Sequence, residues 1–125
     1  MLVKDQRFGT ALASHFSKDP EFDKPALDYN VVLMRRHGYT THGTDIETAV
    51  YRAIYTKINA SVQTNSMMLR QAFNQTSKLK EKFDFDPLTS EQCEGCTIMN
   101  EGTQDKPWKL WVQEVEESNL YVNRG

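Results

Sequence analysis

Three histidines and two cysteines are the residues of this chain with the strongest potential for metal or proton chemistry. Two of the histidines, His37 and His42, open His-Gly pairs within "VVLMRRHGYTTHGTDIETAVYRAIY", residues 31–55. A catalytic zinc takes three protein ligands and keeps one position open, so this pair supplies at most two. Residues two apart on an extended strand share a face and residues five apart do not, so the two imidazoles converge only if a turn reorients one of them. Arg35 and Arg36 precede His37, and guanidinium groups suit planar anions such as phosphate or carboxylate. They equally suit the exposed end of an edge strand. Tyr39, Thr40 and Thr41 can donate hydrogen bonds to a substrate, and are also ordinary strand formers.

Cys93 and Cys96 form the C-x-x-C of "EQCEGC", a spacing that elsewhere marks a redox pair or half of a zinc site. No second cysteine pair completes such a site within the chain, and no strand-then-helix pattern surrounds it as in a thioredoxin. Two plain thiols in a helix or loop is the simpler reading.

The elements that must position these residues follow from periodicity. "RFGTALASHF", residues 7–16, places Phe8, Leu12 and Phe16 four apart and predicts a short amphipathic helix carrying His15. The two prolines of residues 17–30 make that segment a loop. "VVLM", residues 31–34, reads as a buried strand and "YTTH", residues 39–42, as its return, with His37-Gly38 in the turn. Thr44-Asp45-Ile46-Glu47 then has the form of a capping box, with Thr44 as the cap. From there Ile46, Ala49, Val50, Ala53, Ile54, Ile58, Val62, Leu69 and Ala72 recur at helical steps, predicting one long helix over about residues 45–74. A helix this long must line a subunit contact or be covered by several other elements.

Residues 78–87 read as a charged connector. A further helix is expected from Thr89 or Ser90, with Gly95 leaving its length open. In residues 105–117 Pro107 suits a first helical turn, and Trp108, Trp111, Val112 and Val115 form a stripe for a core or a subunit interface.

The 125 residues fit one domain, 1–125, and 15 basic against 17 acidic side chains give a formal net charge of -2. No global field then attracts nucleic acid or an anionic membrane. The sequence also lacks an apolar run of membrane-spanning length and a signal-peptide core at its start, so the expected compartment is cytoplasmic.

"NVVLMRRHGYTTHGTDIETAVYRAIYTKINASVQ", residues 30–63, resembles the class II aldolase/adducin family in the order apolar strand, His-Gly, β-branched strand, Gly, helix start and long helix. The ending "PWKLWVQEVEESNLYVN" and the opening "RFGTALASHF" are similar to members of fungi and bacteria. The resemblance implies a three-layer α/β/α fold, of which this chain is a helix-rich C-terminal portion with a hairpin at 31–42. It also implies a homo-oligomer and a divalent metal, commonly zinc, at sites near subunit contacts.

The chemistry implied is aldol cleavage or epimerisation of phosphorylated sugars, or related carbonyl substrates, through a metal-bound enediolate. By position His37 is a metal ligand, with His42 as the only nearby second donor and Arg35, Arg36 and Tyr39 as substrate contacts. The family's His-x-His, catalytic acid and phosphate loop have no counterpart here. The catalytic residues themselves are therefore not assigned. Two functions follow as expectations: an aldehyde-lyase portion completed by another copy or by a separate N-terminal half, or a noncatalytic adducin-like oligomerisation module.

Overall fold

The computed structural model describes residues 4–19, 27–76, 78, 82 and 84–122. Its elements are α1 (Gln6–Ser14), β1 (Val31–Met34), β2 (Gly38–Thr41), α2 (Ile46–Thr76), α3 (Ser90–Glu101) and α4 (Asp105–Glu117). The four helices and one two-stranded antiparallel sheet among the described residues are compatible with the expected α/β class. The chain divides into two units, Met1–Ala53 and Ile54–Gly125, with the boundary inside α2.

In the first unit, Asp5 caps α1 by accepting from the Phe8 amide at 3.0 Å. Phe16 follows the helix and is buried. The segment from 17 to 30 carries neither helix nor strand where it is described, and residues 20–26 lie outside the described residues. Its ends are tied together: the Tyr29 amide donates to the Phe16 carbonyl at 2.9 Å and the Lys18 amide to Asp28 Oδ2 at 2.8 Å.

β1 and β2 pair from Val31 opposite Thr41 to Met34 opposite Gly38. The return strand thus runs one residue earlier than its β-propensity suggests, and His42 lies beyond its end. Residues 35–37 form the connection, closed by the His37 amide donating to the Met34 carbonyl at 3.0 Å. Two residues take left-handed backbone there, Gly38 at φ 87° and Arg36 at φ 68°. Glycine adopts such angles freely, whereas the Arg36 Cβ crowds its own carbonyl.

The hairpin is bound to α2 by two hydroxyls of one strand face. Tyr39 Oη donates to the Ala53 carbonyl at 2.6 Å and Thr41 Oγ1 to the Ala49 carbonyl at 3.0 Å. Two residues on a strand advance about 6.8 Å and four on a helix about 6 Å, so the spacings match. Alanine at both acceptor positions lets the strand come close. Thr48 and Tyr51 of the same helical turns are buried, and with Phe16 they are the buried residues among those described.

The start of α2 corrects the expected capping box. The cap is Asp45: its carbonyl accepts from the Ala49 amide at 3.1 Å and its Oδ1 from the Thr48 amide at 2.7 Å. Thr44 instead donates its hydroxyl to Asp45 Oδ2 at 3.0 Å. A carboxylate accepts more strongly than a hydroxyl and opposes the positive helix end, so the helix starts one residue later than "TDIE" suggested. Gly43 precedes it with no room to spare, since a Cβ there would lie 2.5 Å from the Ala49 amide nitrogen.

The second unit holds the rest of α2, then α3 and α4. The reciprocal capping box is found at α3, where Thr89 and Gln92 exchange side-chain and backbone hydrogen bonds. Gly95 does not end this helix, which runs on to Glu101 with Gly102 as its C-cap. Much of the connector expected over residues 78–87 lies outside the described residues. At its end Asp84 pairs with Arg70, whose guanidinium stacks 5.0 Å over the Phe85 ring. In α4 the tryptophans and Val112 are half-buried, and Val115 is exposed.

Gly43→Ala is expected to destabilise the protein by about 1–3 kcal/mol, because the added carbon meets helix backbone rather than a side chain that can turn aside. Urea unfolding measures this. Hydrogen bonds from Thr48 hold the Asp45 carboxyl below its ordinary pKa. The stability it contributes is therefore complete above the unfolded carboxyl pKa of about 4 and is lost as pH falls through the lower folded value. Asp45→Ala should lower the urea midpoint at pH 7, with the difference from the unmodified protein shrinking as pH drops below about 4.

Candidate functional site: the hairpin turn around His37

The turn at 35–37 presents Arg35, Arg36 and His37 at the end of the hairpin, all three exposed. Met34 opposite Gly38 closes the ladder immediately behind them, so the three side chains project from a backbone fixed on both sides. The left-handed Arg36 lies directly before His37. Strained backbone of this kind costs about 1–2 kcal/mol and sets the direction from which the imidazole leaves the turn.

Tyr39 is turned the other way. Its hydroxyl proton is committed to the Ala53 carbonyl, so it positions β2 on α2. Thr41 does the same through Ala49. The remaining threonine of the strand, Thr40, contacts the Met34 sulfur at 3.5 Å.

His42 lies at the opposite end of β2 from His37. Five extended residues span about 17 Å, so the two imidazoles are not brought together. The surroundings of His42 are those of an anchor. Its amide donates to the Asn30 carbonyl at 3.0 Å, its carbonyl accepts from Arg52 Nη1 at 2.7 Å, and its ring lies 6.2 Å from the Phe16 ring. Its Nδ1 is buried and has no hydrogen-bond partner. A cleft of about 640 Å³ runs beside it, lined among others by Leu12, Phe16, Thr40, Ile46 and Ala49.

Among the described residues no three His, Cys, Asp or Glu side chains gather as a metal site requires. The donors among the described residues, taken by themselves, do not fit the family's metal. Sequence reasoning missed the two groups that hold the site's base, Asp45 as the cap and Arg52 as the clamp on the His42 carbonyl. The aspartate was legible as one member of "TDIE". No sequence signal marks Arg52, because its partner is a backbone carbonyl ten residues away.

The profile of the class II aldolase and adducin N-terminal domain matches residues 2–64, half of the chain. That stretch contains α1, the hairpin and the first turns of α2. The chain therefore belongs to the class II aldolase/adducin family. It is 39% identical over 123 residues to the decarboxylase tropJ of Talaromyces stipitatus, an alignment covering 98% of this chain and 45% of that protein. This chain thus spans less than half the length of its curated relative. No solved structure matches it.

Two substitutions test the geometry. Arg36→Gly should stabilise the protein by about 1 kcal/mol by relieving the left-handed backbone, offset in part by the greater freedom of glycine in the unfolded chain. Tyr39→Phe should cost about 1 kcal/mol by leaving the Ala53 carbonyl without its side-chain donor. Urea midpoints of the two variants should move in opposite directions.

Proposed function

We propose that this chain is the His37-bearing portion of a carbon–carbon lyase, acting on a carboxylated or hydroxylated carbonyl compound. Decarboxylation and retro-aldol cleavage share one requirement: the electron pair of the broken bond must be taken up by a carbonyl next to it. The identity to a decarboxylase across nearly the whole chain favours loss of carbon dioxide, while aldol cleavage is the other reaction of the same class. The observation that supports the reading is an exposed histidine on a strained turn beside two arginines, and the sequence resemblance would make that histidine a metal ligand.

In this reading His37 is one donor to a divalent metal, commonly zinc in the family, whose other ligands come from outside the chain. Arg35 and Arg36 recognise the substrate's carboxylate or phosphate. Neither edge of the two-stranded sheet is closed by a third strand among the described residues, and so small a sheet is marginal by itself. Strands from a second copy or from a separate N-terminal half would extend it toward the three-layer α/β/α arrangement. Leu33 on β1, 79% exposed, is an apolar side chain that such an addition would cover.

A second reading, a noncatalytic adducin-like interaction module, draws on a different observation. Ile58, Val62, Leu69 and Phe73 of α2 are all at least 46% exposed and fall within one stripe of about 60°. Metal analysis of the assembled complex separates the readings. Bound metal should fall by one ion per hairpin site in His37→Ala and stay unchanged in His42→Ala, and carbon dioxide or aldehyde release should fall with it. A stable assembly whose metal content ignores His37 would leave the interaction module as the function.

A further inference from the structure

Cys93 and Cys96 are both free and exposed on α3, and the hairpin site makes no use of them. At 100° per residue they lie about 60° apart on the helix surface, as one bidentate pair. We propose that this pair is half of a zinc-class thiolate site, completed by the same two cysteines of a second copy of this chain.

The helix itself discriminates between a disulfide and a metal. Side-chain β-carbons three residues apart on a helix are about 5–6 Å apart, whereas a disulfide brings them to about 3.5–4.5 Å. The backbone around the pair resists that distortion. The Cys93 amide donates to the Thr89 carbonyl at 2.9 Å, Thr97 Oγ1 donates to the Cys93 carbonyl at 3.0 Å, and the Thr89–Gln92 box secures the turn before them. A tetrahedral ion with bonds of about 2.3 Å asks less, since its sulfurs sit about 3.7 Å apart and can lean together without moving the helix.

The pair cannot complete the coordination alone. Glu91, Glu94 and Glu101 project more than about 100° from its midpoint on the helix. No group of three metal-ligating side chains occurs among the described residues. Both thiols are exposed, so a second helix can reach them. A twofold axis through the ion makes the two pairs equivalent and closes a four-cysteine site, the commonest structural form for zinc. Four thiols bind one divalent ion as thiolates and release four protons, with no change of oxidation state.

Cobalt(II) titration of the reduced, metal-free full chain reads this directly. The expected result is tetrahedral visible bands that saturate at one ion per two chains, with a doubling of the 14.4 kDa mass in light scattering. Cys93→Ser and Cys96→Ser should each weaken binding at least about 100-fold while keeping the helical circular dichroism. His37→Ala should leave the titration unchanged, which separates this site from the hairpin. Saturation at one ion per chain, bands that survive either serine variant, bands lost with His37, or no bands at all would each overturn the proposal.

Discussion

The first unit depends on a coincidence of spacing between a strand and a helix. Tyr39 and Thr41, two apart on β2, reach the carbonyls of Ala53 and Ala49, four apart on α2. Neither bond is strong alone, each being worth about 1 kcal/mol net. Together they fix both the distance and the register of the hairpin against the helix, because a shift by one residue would turn both hydroxyls to the opposite face. Everything that the turn at 35–37 presents is aimed by this contact.

From that contact the two ends of β2 acquire different roles. At one end His42 is fastened through both its amide and its carbonyl, and Gly43 passes so close to α2 that no side chain fits. At the other end Arg36 holds left-handed backbone and His37 is exposed. Rigidity at the base is what allows strain at the tip to persist, since a loosely held hairpin would relax it. The two His-Gly pairs are alike in sequence and opposite in physical function.

The described residues assemble no three-donor cluster. The turn at 35–37 exposes one imidazole and two guanidinium groups. The thiol pair on α3 has the same incompleteness in a different form: two soft donors with a fixed separation and no third ligand on their helix face. Ile58, Val62 and Leu69 of α2 add a third exposed surface.

Much of the element order was legible in the sequence because it depends on local rules. The apolar recurrence from Ile46 onward made a long helix unavoidable, and the glycines and β-branched residues around His37 made a hairpin. The family was legible for the same reason, since its signature is an order of such elements. The pairing of Tyr39 with Ala53 and of Thr41 with Ala49 was decided only by tertiary structure, as was the separation of His37 from His42. Those outcomes turn on which face of a four-residue strand meets the helix and on which residue first takes helical backbone. Asp45 won the cap over Thr44 because a carboxylate aimed at the Thr48 amide is the stronger acceptor, a difference that the motif alone does not encode.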